Sequence, residues 1–159
     1  MKYALSPHFT SNELIASRTA QARGIDNVPP VEALALAEDM CNIILEPVRA
    51  RFGPVVITSG YRCPELNKAV GGAQSSQHVW TATQVAVDFK TPQAKLQEVF
   101  DWLRLESKLP FDQLILERGK VPDSEEDDCI HLSYVREPRR MALAGETHNR
   151  SGYTPMAVA

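Results

Sequence analysis

The chain has 159 residues, of which 43% are hydrophobic and 23% are charged. This length and composition suit one compact domain whose core is large enough to fold without disulfide bonds. The formal net charge is −3 at pH 7, and nucleic-acid binding would require a strongly basic surface instead. The charge therefore argues against nucleic acid as the main partner.

Hydrophobic period, capping residues and β-branched runs predict three helices and four strands. The helices lie at about 10–17, 31–52 and 92–106, and the strands at about 55–58, 84–89, 113–117 and 129–135. Because the strand at 55–58 is a continuous apolar run, we expect it to be buried. This order predicts an α+β domain with a small, mostly antiparallel sheet, flanked by N-terminal helices and one mid-chain helix.

The ends of the chain and its cysteines set further expectations. After Arg136 no hydrophobic period remains, so we expect one domain at 1–136 and an irregular tail at 137–159. Cys41, Cys63 and Cys129 are too few and too scattered for a disulfide framework. The N-terminus lacks the apolar segment of a signal peptide, and no apolar stretch approaches the roughly 18 residues that span a bilayer. We expect synthesis in the cytoplasm without a signal peptide and without membrane insertion.

Two histidines and one aspartate are the most informative polar residues. Asp88 lies between Val87 and Phe89 in an apolar strand, where a carboxylate without a partner would be costly to bury. His78 ends the small-residue loop before that strand, and His131 alternates with apolar neighbours in the last strand. Two imidazoles, one carboxylate and a water are the ligands of a catalytic zinc ion, although the set also accepts other divalent ions. We predict a metal site at these three residues.

Three more polar residues are candidates for roles beside the metal. Asp128 stands three residues before His131, where its carboxylate is suited to remove a proton from the attacking water; the alternative is a solvated acidic loop. Arg62 follows the first strand, and its planar fork suits a substrate carboxylate or an oxyanion; the alternative is a surface ion pair. Glu117 ends a strand and is a candidate hydrogen-bond partner of a ligand histidine.

Four motifs occur in an order that resembles a known family. They are a Ser-Gly-Tyr-Arg turn at 59–62, Ser-Gln-His at 76–78, Ala-Val-Asp-Phe at 86–89 and Ile-His-Leu-Ser at 130–133. This order resembles the zinc-dependent D-alanyl-D-alanine carboxypeptidase and L-alanyl-D-glutamate endopeptidase family, which shares the metal-site fold of the hedgehog signalling domain and includes phage endolysins. The resemblance extends from about residue 5 to residue 134.

The resemblance implies a hedgehog/DD-peptidase-like fold and a role for each candidate. His78, Asp88 and His131 correspond to the ligands of a zinc ion. Asp128 corresponds to the acidic general base, and Arg62 to the arginine that anchors the substrate. The implied activity is hydrolysis of the peptide stems of bacterial peptidoglycan at the cell wall, by a phage or prophage lysin or a virion-associated enzyme. Such a chain acts as a monomer or as part of a phage particle.

The spacing departs from the family pattern at one place. The step from His78 to Asp88 is ten residues, three longer than in the usual Ser-x-His-x-x-Gly-x-Ala-x-Asp pattern, and Gln84 replaces the glycine. In one interpretation the loop bulges at modest entropic cost and His78 still reaches the metal. In the other, His78 is displaced, and the chain is a non-catalytic cell-wall-binding or phage structural module with the same fold. A general metalloprotease is disfavoured because the H-E-x-x-H helix is absent.

Overall fold

The structure is a computed structural model that describes residues 3–119, 127–146 and 152–159. Its helices are α1 (Ser11–Ile15), α2 (Arg18–Arg23), α3 (Val31–Met40), α4 (Glu46–Phe52), α5 (Pro64–Ala69) and α6 (Leu96–Leu105). A π-helical turn, Cys41–Leu45, joins α3 to α4. Its strands are β1 (Val56–Ser59), β2 (Val85–Lys90), β3 (Gln113–Arg118), β4 (Cys129–Tyr134), β5 (Met141–Glu146) and β6 (Thr154–Met156).

The strands form one six-stranded sheet in the order β1-β2-β4-β3-β5-β6. Neighbouring strands are antiparallel except for β3 and β5, which are parallel. This arrangement confirms the predicted α+β class and the mostly antiparallel sheet. Among the described residues, no helix is long and apolar enough to cross a bilayer.

Helices α3 and α6 pack against one face of the sheet. Side chains at alternate strand positions point to that face and are fully buried, among them Val87, Phe89, Leu114 and Leu132. They pack against α3 and against the apolar side of α6, whose buried residues recur at helical spacing. Each such side chain contributes about 1.5–3 kcal/mol by leaving water. The core therefore lies between the helices and one face of the sheet, and the other face carries Asp88 and His131 beside the apolar Ala86 and Ile115.

Local signals predicted the first helix and the long helix of the N-terminal half, whereas α2 was not predicted. The backbone N–H and the hydroxyl of Thr10 both donate to Glu13 Oε2 at 2.7 Å, and the capping box that begins α1 is present. The long helix predicted over 31–52 is present as α3, the π-helical turn and α4. Pro47 lacks an N–H for the regular helical pattern, and Glu46 N–H donates to the carbonyl of Cys41 five residues earlier.

Two expectations about the strands are wrong. The run at 55–58 was expected to be buried, but β1 is an edge strand and Val56 is 47% exposed. The tail at 137–159 was expected to be irregular, yet it contains β5 and β6; residues 147–151 lie outside the described residues. β5 pairs in parallel with β3, which is distant in the sequence, and antiparallel with β6, so local alternation of polar and apolar residues is not needed to form it.

A buried carboxylate holds the beginning of β5 beside β3. Asp112 accepts hydrogen bonds from Arg139 Nε at 2.8 Å and Nη2 at 2.6 Å. The carbonyl of Asp112 accepts from Met141 N–H at 2.8 Å. Burial raises the pKa of Asp112, but the hydrogen bonds and the charge of Arg139 outweigh it and hold this pKa below its usual value. Asp112 is therefore charged at neutral pH and ties the last two strands to the sheet.

We expect Asp112→Asn to lower the free energy of unfolding at pH 7 by about 1–3 kcal/mol, because hydrogen bonds to a charged group are lost. The folded-state pKa is depressed, so this contribution is fully present above the unfolded value of about 3.9. It disappears as the pH falls through the folded-state pKa. Urea unfolding of both proteins at pH 7 and at about pH 3 measures the effect. If the two proteins differed in free energy of unfolding by the same amount at both pH values, this role of the Asp112 charge would be contradicted.

Candidate metal centre

The sheet face opposite α3 and α6 carries a cluster of two histidines and one aspartate. Asp88 of β2 is the direct register partner of His131 of β4, so their side chains leave the sheet on the same face. His78 approaches from the loop before β2. One ligand atom from each of the three residues lies within 4.8 Å of the other two. Both histidines are buried, with 5% of His78 and 7% of His131 exposed.

Asp88 is at the centre of this cluster. Its Oδ1 lies 3.1 Å from His78 Nε2 and 2.9 Å from His131 Nδ1. Burial raises the pKa of Asp88, but the charge of His78 and the hydrogen bonds from both histidines outweigh it and hold this pKa well below its usual value. Asp88 is therefore a carboxylate that offers negative charge to whatever lies between the imidazoles.

The outer nitrogens of the two rings have partners of their own. His78 Nδ1 lies 2.8 Å from the carbonyl oxygen of Gly60, and His131 Nε2 lies 2.8 Å from Gln77 Oε1. A carbonyl oxygen only accepts, so Nδ1 of His78 carries the hydrogen and donates it to Gly60. In neutral His78 the inner Nε2 is then a bare acceptor that faces a carboxylate.

Two acceptors at this distance need a positive charge, which either a protonated imidazole or a cation between them supplies. A ligand histidine whose other N–H donates to a carbonyl is the usual arrangement around protein-bound zinc. The donor set of two imidazole nitrogens and one carboxylate oxygen also fits that ion. The described residues therefore fit a divalent metal ion at this cluster.

Arg62 lies at the rim of the cluster. Its Nη2 is 3.7 Å from Asp88 Oδ2, and its Nε donates to Ser59 Oγ at 3.3 Å. Burial lowers the pKa of Arg62 more than the charges of Asp88 and Glu117 raise it. The guanidinium group thus lies within the field of both carboxylates.

A family model described as Peptidase M15 matches residues 7–121, which is more than half of the chain. The chain belongs to the Peptidase M15 family. Members of this family are zinc peptidases, and membership places the chain among the metallopeptidases. The match includes His78, Asp88 and Arg62, and it ends before Asp128 and His131. No curated protein matches the chain.

The longer loop of this M15 peptidase does not separate His78 from Asp88. Trp80 is buried within the extra residues, and its Nε1 donates to the carbonyl of Ala86 at 2.9 Å. Thr81 N–H donates to the carbonyl of Gln84 at 2.9 Å, which closes a tight turn. The extra residues therefore form a closed turn anchored by Trp80, and His78 stays beside its companions.

The other candidate residues of the peptidase divide between the two sides of the sheet. Asp128 is buried outside the cluster, where Arg118 Nη1 donates to Oδ2 at 2.8 Å and Gly119 N–H donates to Oδ1 at 2.7 Å. Glu117 lies on the cluster's face, as the register partner of Cys129. It accepts a hydrogen bond from the hydroxyl of Tyr153 at 2.8 Å, and among the described contacts it has none with His78 or His131.

Sequence reasoning missed two residues beside the cluster. Gln77 immediately precedes His78, and its bond to His131 depends on how the loop crosses the sheet. Tyr153 belongs to a segment with no hydrophobic period. Glu117 was named from the sequence, but its place on the same face as His131 follows from the pairing of β3 with β4, in which Ile115 is the register partner of His131.

We expect Gly60→Ala to destabilise the peptidase and weaken its metal uptake. A Cβ atom at residue 60 would overlap the carbonyl oxygen of Leu14, so the segment must move and carry away the carbonyl that orients His78. The free energy of unfolding should fall by about 1–3 kcal/mol, as in other overpacked sites. Thermal unfolding and zinc content measure the effect, with exposed Gln74→Ala in the adjoining loop as control. Unchanged zinc content in Gly60→Ala would contradict it.

Proposed function

We propose that this M15 peptidase is a zinc enzyme that hydrolyses the peptide stems of bacterial peptidoglycan. The activity is of the D-Ala-D-Ala carboxypeptidase or the L-Ala-D-Glu endopeptidase type. The observation that carries the proposal is the convergence of His78, Asp88 and His131 around one point. There Asp88 Oδ1 faces a ring nitrogen of each histidine. The resemblance of the motifs supports the substrate class. It also supports a phage or prophage origin and action at the cell wall.

Each ligand side chain has a defined task. His78 through Nε2, His131 through Nδ1 and Asp88 through Oδ1 would hold the ion, because these atoms face one another. A zinc ion with three protein ligands lowers the pKa of water and polarises a carbonyl group. The hydrogen bonds of the two imidazoles to Gly60 and Gln77 fix the ring orientations.

Arg62 is placed to bind the carboxylate of the substrate. A cleft of about 700 Å³ runs between the N-terminal helices and β1, and Tyr61 and Arg62 are part of its lining. The guanidinium group is held by Ser59 and by Asn67 Oδ1, to which its Nη1 donates at 3.4 Å. A guanidinium fixed in this way binds a carboxylate through two parallel hydrogen bonds. We propose that the carboxylate end of the stem peptide enters from this cleft.

His131→Ala and Asp88→Ala should abolish both zinc uptake and hydrolysis, because two ligands hold the ion too weakly. Elemental analysis measures the zinc, and mass spectrometry of muropeptides measures the bond that is cut. His8→Ala is the matched control, since His8 is exposed and pairs with Glu46 away from the cluster.

Two outcomes of these measurements would overturn the proposal. Full activity of a metal-free Asp88→Ala protein would show that the cluster is not the catalytic site. A zinc-loaded wild-type chain that binds peptidoglycan but releases no amino groups would instead be a cell-wall-binding module.

We expect Arg62→Lys to lower kcat/KM for a stem peptide with a free carboxylate by about tenfold to a hundredfold, because a bidentate pair is lost. Zinc content should be unchanged. The decisive comparison uses the same peptide with an amidated C-terminus, on which wild type and variant should act almost equally. Arg51→Lys is a control outside the cleft. A similar loss with both peptides would show that Arg62 does not bind the carboxylate.

A further inference from the structure

The turn that carries Arg62 is held by a side chain that is distant in the sequence. Asn27 lies in the segment between α2 and α3. Its Nδ2 donates to the carbonyl oxygen of Tyr61 at 3.0 Å, and its Oδ1 accepts from the backbone N–H of Cys63 at 2.8 Å. These are the residues immediately before and after Arg62. One planar amide group therefore brackets the backbone of Arg62 on both sides.

Asn27 also ties this turn to the first helix. Its Nδ2 makes a second hydrogen bond to the carbonyl oxygen of Ile15, the last residue of α1, at 2.9 Å. An asparagine amide has two donor hydrogens, and a carbonyl oxygen only accepts. Both donors of Asn27 are thus used on carbonyl groups, while its oxygen accepts from Cys63 at the start of α5. The clamp requires an amide, because a carboxylate of the same shape has no hydrogen to donate.

The segment that presents Asn27 is itself restrained. Two prolines follow, and each restricts the residue before it to extended backbone. Val28 and Pro29 are therefore limited in conformation, and Pro29 is buried. The helix α3 begins directly afterwards and packs in the core. Asn27 therefore projects from a stiff segment.

Two backbone hydrogen bonds connect the same turn to its surroundings. Tyr61 N–H donates to the carbonyl of Leu14 at 2.7 Å, and Arg62 N–H donates to the carbonyl of His78 at 2.9 Å. The ring of His78 in turn lies 2.8 Å through Nδ1 from the carbonyl of Gly60. A displacement of the turn therefore moves the backbone of Arg62 relative to a metal ligand.

The guanidinium group of Arg62 depends on its backbone for its position. Its own hydrogen bonds, to Ser59 Oγ and Asn67 Oδ1, are long at 3.3 and 3.4 Å. The bonds from Asn27 to the flanking backbone are shorter, at 3.0 and 2.8 Å. Only 19% of the Arg62 side chain is exposed, so its neighbours confine its rotamer. The position of the backbone then sets where the planar fork lies.

We infer that Asn27 is a positioning residue for Arg62. This inference rests on the proposed function, in which Arg62 binds the carboxylate of the substrate. The described contacts of Asn27 are with backbone groups of Ile15, Tyr61 and Cys63. Through that backbone it holds the fork in the one orientation in which two parallel N–H groups meet a carboxylate. Without the clamp, the peptidase should lose its preference for a free carboxylate and keep its metal ligands.

Asn27→Asp tests the inference, because it keeps the size of the side chain and removes both donors. The carboxylate preference is kcat/KM for a stem peptide with a free C-terminal carboxylate, divided by kcat/KM for the amidated peptide, per zinc-loaded molecule. Asn27→Asp should lower this preference about tenfold, because the bidentate pair is misaligned. Activity on the amidated peptide should stay within about threefold of wild type.

Asn42 offers a matched control in the π-helical turn. Its Nδ2 also donates to two carbonyl oxygens, those of Leu5 and Glu38, both at 2.9 Å. Asn42→Asp therefore removes the same pair of donors outside the cleft of Arg62. Both variants should lower the thermal stability, but only Asn27→Asp should change the carboxylate preference. An equal loss of preference in the two variants would reflect general destabilisation and would overturn the inference.

A double variant shows whether Asn27 acts through Arg62. Asn27→Asp combined with Arg62→Lys should have the same carboxylate preference as Arg62→Lys alone, because the effects of coupled residues do not add. Two losses that multiply would contradict this route. If Asn27→Asp does not fold, Asn27→Ala removes the same donors without adding a charge and carries the same expectation.

Peptide binding separates this inference from the proposed function. Calorimetry gives the Kd of both peptides for zinc-loaded protein even when no bond is cut. A wild type that cuts nothing, yet has a carboxylate preference in Kd that Asn27→Asp lowers about tenfold, would overturn the proposed function alone. An unchanged preference in Asn27→Asp, in turnover and in binding, would overturn this inference alone. A wild type without any such preference would overturn the role of Arg62 and this inference with it.

Discussion

The contacts of Asp88 Oδ1 with two imidazole nitrogens, at 3.1 and 2.9 Å, are the constraint on which the remainder of the site depends. A buried carboxylate without positive charge nearby costs several kcal/mol (about 2–7 even for neutral polar groups). Because Gly60 engages the outer nitrogen of His78, a neutral ring presents a second acceptor to Asp88. The arrangement is stable only with a bound cation or a protonated ring, and this requirement couples the local stability of the cluster to metal binding.

The two faces of the sheet carry different residues: one carries the core, and the other carries the candidate metal site. Its helix-covered face carries the apolar side chains of the core, together with the Asp128 and Arg118 pair near its edge. Its other face carries Asp88 of β2, His131 of β4 and Glu117 of β3, one residue on each of three neighbouring strands. Because successive side chains of a strand point to opposite faces, a single residue of register error would exchange the two sets. The paired hydrogen bonds of the central strands therefore define both the core and the site.

The last two strands, like β4 with His131, lie beyond the part of the chain that matches the family model. Asp112 and Arg139 hold the beginning of β5 beside β3. Gly145 then leaves the space that Tyr153 occupies above the sheet. A segment expected to be an irregular tail thus supplies the hydrogen-bond donor of Glu117. The hydrophobic pattern of this segment does not predict that contribution, because the parallel pairing with β3 is long-range and small residues are sufficient for it.

The sequence by itself determined the features that depend on local spacing. Capping residues and helical period predicted α1 and the long helix of α3 and α4, and strand parity placed His131 and Asp88 away from the core. Tertiary structure alone decided which acidic residue shares their face. Asp128 is closer to His131 in the sequence, but the pairing of β3 with β4 places Glu117 on the sheet face of the cluster, whereas Asp128 bonds to Arg118. Register between strands is a non-local property, so no spacing within one segment encodes it.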